Sequence, residues 1–209
     1  MSLESNPAAV VHVVDDDESL RSALGRVFRS VGLQTRVYAT ARQFIEAETT
    51  SLPGCVVLDV RLPEMNGLDL QAELPGLGIR LPVVLMSGHG DIPMTVRAMK
   101  AGAVDFLPKP FREQDILDAV NAAIDRDRKR RAMENDVAEV RNRLGTLSPR
   151  EQQVMMLVTN GKMNKQIAGE IGLSEVTVKI HRGAAMRKMG ARTLADLVRM
   201  ADALRQKDP

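Results

Sequence analysis

Residues 56–67 read VVLDVRLPEMNG, in which a short apolar run delivers a carboxylate, Asp59, to a polar turn. A continuous apolar run of this kind is typical of a strand that is buried on both faces of a parallel sheet. The proline and glycine that follow favour a turn or loop after the strand. An acid at the end of a buried strand has few structural uses and several chemical ones. Asp59 is therefore the first candidate functional residue.

Further apolar runs have the same character, and segments with helical spacing of apolar residues separate them. The predicted strands are 10–14, 34–38, 55–58, 83–86 and 104–107. Strands that alternate with helices predict a doubly wound α/β layer with right-handed crossovers. In such a sheet, ligands bind beyond the carboxyl ends of the strands. The residues that follow the strands are thus the candidate site residues.

Polar side chains follow four of these strands. They are Asp15, Asp16, Asp17 and Glu18 after the first strand, Asp59 after the third, Ser87 after the fourth and Lys109 after the fifth. Crowded carboxylates repel one another, and a hard divalent cation such as Mg²⁺ offsets this repulsion. A hydroxyl and an ammonium opposite them would hold phosphoryl oxygens. A parallel sheet would therefore assemble a site for phosphoryl transfer at this edge.

Each of these flanking residues alone also has a simple structural explanation. Asp17 or Glu18 fits the N-cap of a helix, Ser87 with Gly88 fits a turn, and Lys109 fits a solvated charge. Four polar groups in order at successive strand ends favour the phosphoryl site over these separate explanations.

The composition is that of a globular protein. The chain has 209 residues, enough for one large domain or two modest ones, and its 44% of hydrophobic residues can form a core. Cys55 is the only cysteine, so no intrachain disulfide can form, which fits a reducing compartment. Residues 1–7 lack a signal-peptide pattern, and no apolar run approaches the length of about 18 residues that a membrane span needs. We expect a cytoplasmic protein without membrane contact.

Charge is distributed unevenly along the chain. Residues 1–124 hold 11 basic and 16 acidic side chains, whereas residues 145–209 hold 11 basic and 6 acidic ones. An acidic first half and a basic last third predict different partners, with nucleic acid a candidate for the basic part. Because the chain has only four Phe, one Tyr and no Trp, base stacking on single strands is not expected.

The motifs at the predicted site resemble the receiver domain of bacterial two-component response regulators. They are VDDDE at 14–18, VLDVRLP at 57–63, SGHGD at 87–91 and FLPKPF at 106–111, and the resemblance spans residues 9–125. It implies a flavodoxin-like (CheY-like) sheet of five parallel strands, with Asp59 as the phosphoacceptor. It also implies that Asp16, Asp59 and the main-chain carbonyl of Arg61 bind Mg²⁺ or Mn²⁺, with Asp15 acting through water.

The same resemblance assigns a switch that would follow phosphorylation. Ser87 and Lys109 would contact the phosphoryl group, and Phe106 would be the aromatic side chain whose rotamer follows Ser87. The 109–110 peptide, Lys-Pro, is expected to be cis. Asp91 is predicted to cap the fourth helix, on a surface where receivers of this kind commonly dimerise.

Two local features depart from the pattern of the family. Pro75 and Gly76 are predicted to cut the third helix short. Arg61 and His89 flank the acceptor as larger side chains, and we hypothesise that they partly screen it from water.

A segment without proline or glycine, residues 113–144, starts inside the part that resembles a receiver and continues beyond it. It predicts a fifth helix that continues into a helical linker. Apolar positions in it recur at intervals of four, three and four residues, at Met133, Val137, Val140 and Leu144. This spacing leaves open a short dimer seam, while the dense charges are typical of a solvated helix.

Capping and turn signals predict a helix-turn-helix in the last third of the chain. Residues 148–151, SPRE, form a capping box with proline at the first helical position. Asn164 is predicted to cap a short helix and Ser174 a longer basic one, with a tight turn at 172–174 between them. Thr193 is predicted to cap the last helix.

These motifs resemble the LuxR-type DNA-binding domain, and together with the receiver they make the chain similar to a regulator of the FixJ/NarL type. The matching stretches are LSPRE at 147–151, NKQIA at 164–168 and TVKIHR at 177–182. The implied architecture is a receiver at 9–125, a helical linker at 126–144 and a small all-α LuxR-type domain at 145–209.

By this resemblance, the basic helix would enter the major groove of double-stranded promoter DNA. The residues nearest the bases would be Thr177, Lys179, Ile180 and Gly183. The residues nearer the phosphates would be Lys162, Asn164, Lys165, Arg187 and Lys188, and Arg182 extends the same surface. For Arg187 and Lys188, a solvated helix tail is the alternative, and Val178, Met186 and Met189 are predicted to be core residues.

The implied function is that of a cytoplasmic bacterial response regulator. A sensor histidine kinase would phosphorylate Asp59, which would promote homodimerisation and sequence-specific DNA binding to regulate transcription, with RNA polymerase a further candidate partner. No enzymatic turnover is expected beyond Mg²⁺-dependent self-phosphorylation and autodephosphorylation. One alternative is a phosphatase with Asp59 as nucleophile, which would need a second Asp where this chain has Arg61. Another is a phosphate sink or partner-binding module.

Overall fold

The computed structural model describes residues 9–47, 52–88 and 92–205. His89 and Asp91, the residues predicted to screen the acceptor and to cap the fourth helix, lie outside these ranges. The described residues form two compact units, and the boundary between them in the sequence lies between Arg131 and Ala132.

The first unit contains a parallel sheet of five strands within the described residues, in the order β2-β1-β3-β4-β5. The strands are β1 (Val10–Val14), β2 (Gln34–Tyr38), β3 (Gly54–Asp59), β4 (Val83–Ser87) and β5 (Asp105–Pro108). Every residue of β1, β3 and β4 is buried, which is why their sequences are continuous apolar runs. The doubly wound α/β prediction is confirmed, and Asp59 is the last residue of β3.

Helices cover both faces of this sheet. They are α1 (Glu18–Ser30), α2 (Ala41–Glu46), α3 (Gly67–Glu73), α4 (Ile92–Lys100) and the first part of α5 (Glu113–Gly145). Asp17 caps α1 through hydrogen bonds from two main-chain N–H groups, so the capping explanation holds for that aspartate. Helix α3 ends at Glu73, before Pro75, as predicted. The two faces of the sheet bury separate apolar clusters, one around Phe44 and Leu58 and one around Phe28 and Val57.

The second unit is helical. Its elements after α5 are α6 (Pro149–Thr159), α7 (Asn164–Ile171), α8 (Glu175–Met189) and α9 (Leu194–Arg205). The capping box at the start of α6 is confirmed, because Ser148 and Glu151 each accept a hydrogen bond from the main chain of the other. The side chains of Ser174 and Thr193 accept the predicted capping hydrogen bonds.

The cap predicted for α7 is wrong by one residue. Asn164 is the first helical residue, and Met163 occupies the cap position. The side chain of Gln166 accepts a hydrogen bond from the N–H of Met163 at 2.8 Å, so the third helical residue satisfies this end of the helix. The side chain of Asn164 accepts instead from Arg182 on α8.

The predicted linker is shared between the two units. Asp127 is fully buried in the first unit. Val140 and Leu144 pack against the apolar cluster of the second unit that contains Leu147 and Met189. Val140 and Leu144, two of the four residues of the possible dimer seam, therefore pack inside the second unit. The spacing of the four apolar residues is no longer an argument for a dimer contact.

His12 is a buried histidine that neither predicted site uses. Its side chain is 1% exposed, its ring stacks on Tyr38, and its Nδ1 lies 3.0 Å from the Tyr38 hydroxyl. Its Nε2 has no hydrogen-bond partner among the described residues. Burial, assisted by the positive charge of Arg36, lowers the pKa of His12 from 6.5 to about 4. The imidazole is therefore neutral in the folded protein at neutral pH.

This shift predicts a specific loss of stability in mild acid. Because the folded state binds the His12 proton more weakly than the unfolded state, the free energy of unfolding falls as pH drops from 6.5 toward 4. The expected loss is about 2–3 kcal/mol. Denaturant unfolding followed by Tyr38 fluorescence at a series of pH values measures it. The variant His12→Asn should lack this part of the pH dependence, and parallel curves for the two proteins would contradict the prediction.

Candidate functional site

The carboxyl ends of β1, β3, β4 and β5 bring the predicted site residues together in the first unit. Asp59 ends β3 and is 6% exposed, while Asp15 follows β1 and is fully buried. Lys109 follows β5, and its main-chain N–H donates to the carbonyl of Ser87 at 2.7 Å. Parallel register places these strand ends side by side, so residues 94 positions apart become neighbours.

Lys109 is the cation of this site. Its Nζ lies 2.7 Å from Oδ2 of Asp15 and 3.2 Å from Oδ2 of Asp59. Burial lowers the pKa of Lys109, but the hydrogen bond and charge of Asp15, with those of Asp59, outweigh burial and raise it. Burial raises the pKa of Asp59, and the charge of Asp15 adds to this, against the opposing charge of Lys109. The ammonium thus partly neutralises a crowded pair of carboxylates.

The residues present fit a divalent metal ion. Asp15, Asp16 and Asp59 each offer a carboxylate oxygen, and these oxygens all lie within 4.8 Å of one another. Oδ1 of Asp59 is buried and has no hydrogen-bond partner among the described residues. A buried oxygen without a partner beside two further carboxylates is the donor set that Mg²⁺ binds in proteins. This cluster could therefore hold a metal ion.

The loop after β3 is held close to Asp59. The main-chain N–H of Arg61 donates to the Asp59 carboxylate, which opposes the effect of burial on its pKa. A Cβ at Gly67 would lie 2.2 Å from the carbonyl oxygen of Asp59, so only glycine allows α3 to start this close. Gly67 closes the VVLDVRLPEMNG stretch, but nothing local in the sequence distinguishes it from an ordinary turn glycine.

The two predicted switch residues share one face of the sheet. Phe106 pairs with Leu85, which lies two residues before Ser87 on β4, so Phe106 and Ser87 point to the same side. Phe106 is buried in the apolar cluster that also contains Ala98 of α4. The buried Ser87 hydroxyl lies 3.9 Å from Sδ of Met94, also on α4. The peptide between Lys109 and Pro110 is cis, as predicted.

Helix α8 presents a mixed apolar and basic surface in the second unit. Ile180 and Val176, one helical turn apart, are 64% and 69% exposed. Lys179 is exposed between them, and Thr177 is half-buried with its hydroxyl 2.8 Å from that of Ser174. The predicted core residues Val178 and Met189 are buried, and Met186 packs against the core, as predicted. Val176 is not among the contacts predicted from the sequence, although its spacing of four from Ile180 places it on the same face of α8.

Several of the predicted DNA-contacting side chains have partners inside the unit. Lys162 forms an ion pair with Glu170. Lys188 donates to Oε2 of Glu151 at 2.7 Å and to the carbonyl of Thr146 at 3.2 Å, so its ammonium connects parts of the unit to one another. Gly183, which brings no side chain to the surface, is half-buried. Lys165 and Arg187 are exposed.

Comparisons with known proteins follow this division of the chain. Residues 11–121 match the response regulator receiver domain, and residues 145–201 match the luxR family of bacterial regulatory proteins. Nodulation protein W of Bradyrhizobium diazoefficiens is 56% identical over 96% of this chain and 88% of its own length. Response regulator protein TodT of Pseudomonas putida is 45% identical over the same shares. The low-resolution structure of the response regulator StyR matches with a TM-score of 0.82 and 45% identity, over 93% of this chain and 98% of that one.

The lengths and compositions of the helices bear on the prediction that the chain has no membrane span. Among the described residues, no helix combines the length and the apolar composition that crossing a bilayer requires.

Proposed function

Because the chain belongs to the response regulators that join a receiver domain to a LuxR-type DNA-binding domain, we propose that it regulates transcription through phosphorylation of Asp59. A sensor histidine kinase supplies the phosphoryl group, and the second unit binds double-stranded promoter DNA. The observation that carries the proposal is the cluster of Asp15, Asp16 and Lys109 around the buried carboxylate of Asp59.

The carboxylate of Asp59 acts as the nucleophile toward phosphorus. One of its oxygens forms the new P–O bond while the bond from phosphorus to the donor nitrogen breaks, and the donor leaves as neutral imidazole after protonation. Asp15, Asp16, Asp59 and the carbonyl of Arg61 would hold Mg²⁺, which neutralises charge on the phosphoryl oxygens when it is bound. Lys109, already 3.2 Å from Asp59, would move its ammonium onto a phosphoryl oxygen.

The buried switch residues connect this chemistry to the surface of α4. A phosphoryl group carries about −1.5 to −2 charges and new acceptor oxygens, and it replaces the single negative charge of the Asp59 carboxylate. The Ser87 hydroxyl lies 3.9 Å from Sδ of Met94, and a phosphoryl oxygen on Asp59 would be a much stronger acceptor for it than a thioether sulfur. Movement of Ser87 and its neighbours frees space beside Phe106 on the same face of the sheet. The two states thus differ in the packing under α4.

The exposed side of α4 supports homodimerisation on that surface. Ile92, Val96 and Met99 are exposed at helical intervals of four and three, and Ile92 is 81% exposed. A contiguous apolar stripe on a surface helix is typical of a protein contact. A second phosphorylated copy of the chain is the proposed partner, and dimerisation would place two LuxR-type domains on one DNA site.

A direct test is DNA affinity as a function of phosphorylation. A duplex is first selected from random-sequence DNA by the wild-type chain, and its affinity is measured with and without beryllofluoride and Mg²⁺. We expect tighter binding and dimer formation with the phosphoryl mimic. Equal affinity in both states would instead favour a module whose phosphorylation serves another purpose.

Lys179 provides a prediction for the DNA-binding surface. It is exposed on α8 beside Ile180, where a side chain can reach base edges in the major groove. Replacing Lys179 by alanine should lower affinity for the selected duplex by about tenfold, since a base contact contributes about 1–3 kcal/mol of discrimination. Fluorescence anisotropy measures the change. Lys129→Ala, which removes an exposed lysine from the first unit, is the matched control and should bind as the wild type does.

A further inference from the structure

The last turns of α5 pack against the recognition helix α8. Val140 and Leu144 lie against the apolar cluster that contains Met189, and Met186 of α8 joins the same contact. Residues 140–144 precede the segment that matches the luxR family, which begins at residue 145. The core under α8 is therefore completed by side chains from outside that segment.

Arg143 makes a polar contact at the same place. Its Nη1 donates to the main-chain carbonyl of Met189 at 2.9 Å, and Met189 is the last residue of α8. The same guanidinium also contacts Glu139, one turn earlier on α5. The last carbonyls of a helix lack intrahelical partners and form the negative end of its dipole, so a cation there is stabilising. Arg143 thus caps the carboxyl end of the recognition helix.

Gly190 makes room for this cap. It ends α8 with a φ of 73°, a conformation that glycine adopts without strain. A Cβ at this position would lie 2.4 Å from Nη1 of Arg143. The positive φ favours glycine at this position, and any larger residue would also displace the guanidinium of Arg143 from its contact.

A second pair of contacts ties the same end of α8 to the turn after α5 and to α6. Lys188 donates to the carbonyl of Thr146, just after α5, and to Glu151 in the first turn of α6. Glu151 is itself buried and accepts from the main-chain N–H of Ser148 at 2.7 Å. Contacts from α5, from the turn after it and from α6 therefore converge on the last turn of α8.

From this arrangement we infer that Arg143 is a positioning residue for sequence-specific DNA binding, an inference that rests on the DNA-binding function proposed above. The candidate base-contacting residues, 177–183, lie in the first two-thirds of α8, while Arg143 fixes the last residue. Hydrogen bonds to bases form only within a narrow range of distances, about 2.7–3.2 Å between heavy atoms. If the last turn of α8 is no longer fixed, the helix can shift in the groove. Hydrogen bonds to bases are lost first, because contacts to phosphates depend on charge and tolerate small shifts.

The test uses the full-length chain and two duplexes, the one selected by the wild type and a scrambled version of equal length. Arg143→Met retains the apolar stem and removes the donor, and Arg143→Gln removes both charge and length. Both variants should bind the selected duplex about tenfold more weakly, and bind the scrambled duplex as before. Arg143→Lys, which returns a cation to the helix end, should recover most of the affinity. Arg150→Gln is the matched control, since the Arg150 side chain is exposed and contacts Gln153.

The remaining outcomes distinguish the inference from its alternatives. Unchanged affinity for the selected duplex would overturn it. Weaker binding to both duplexes with a smaller salt dependence would overturn it in favour of a phosphate contact. Weaker binding to both with a lost helical circular dichroism signal would overturn it in favour of a purely structural role. If the wild type itself shows no preference between duplexes, the proposed function fails and not this inference alone.

Discussion

Replacing Asp59 by asparagine is expected to abolish phosphoryl incorporation. The amide lacks the charged carboxylate that attacks phosphorus, and it also removes one of the three carboxylates of the metal cluster. The asparagine retains the shape of the aspartate, so the surrounding strands should stay intact. Intact-mass spectrometry after incubation with a small acyl phosphate and Mg²⁺ measures the result. The wild type should gain one phosphoryl group, and the variant none.

Asp69→Asn is the control for this experiment. Asp69 lies on α3, ten residues after Asp59, and pairs with Arg97 on the exposed side of the unit. This variant should be phosphorylated as the wild type is. DNA binding by Asp59→Asn should stay at the level of the unphosphorylated wild type when beryllofluoride is added. A phosphoryl group found on Asp59→Asn would place the acceptor at another residue.

The clustering of Asp15, Asp59 and Lys109 could be predicted because a parallel sheet brings residues that are distant in sequence close together in space. Asp15, Asp59 and Lys109 each follow an apolar run, and the carboxyl ends of parallel strands meet at one edge. Burial of β1, β3 and β4 on both faces leaves a continuous apolar pattern, which is easily recognised in a sequence. Local capping signals at Ser148 and Ser174 were equally informative, because each cap lies within a few residues of its partner.

The roles of Asp127, Arg143 and Lys188 could not be predicted in the same way. Each makes a contact across 37 or more residues, to Gly54, Met189 and Glu151 respectively. In the sequence, Asp127 and Arg143 belong to a dense run of mixed charges, which is typical of a solvated helix. The distant partners of Asp127 and Arg143 are main-chain groups, which every residue type has, so the sequence does not reveal them. Only the glycines that allow the close approach are visible. The sequence predicts a DNA contact for Lys188 because a lysine near the end of a basic helix has the same sequence pattern whether it faces a phosphate or Glu151.

Removing the Asp127 carboxylate is expected to destabilise the first unit, which contains the receiver domain. Its carboxylate is fully buried and accepts from the main-chain N–H of Gly54 at 3.0 Å and from Nε of Arg131 at 2.6 Å, with Arg130 as a third donor. Gly54 begins β3, and a Cβ there would lie 2.2 Å from the carbonyl of Val10, so the two strands and α5 meet closely at this point. Asp127→Ala leaves the buried N–H of Gly54 without its acceptor and two guanidinium groups without their carboxylate.

We expect Asp127→Ala to lower the free energy of unfolding of the receiver unit by about 3 kcal/mol, at the lower end of the range for breaking a buried ion pair. The lower end applies because the Arg130 and Arg131 side chains are 29% and 26% exposed and can turn partly to water. Tyr38 is the only tyrosine and the chain has no tryptophan, so its emission during denaturant unfolding reports this unit alone. Asp125→Ala, which removes a largely exposed aspartate paired with Arg128, should change the midpoint little. Equal midpoints for the two variants would show that Asp127 does not hold α5 to the amino-terminal end of β3.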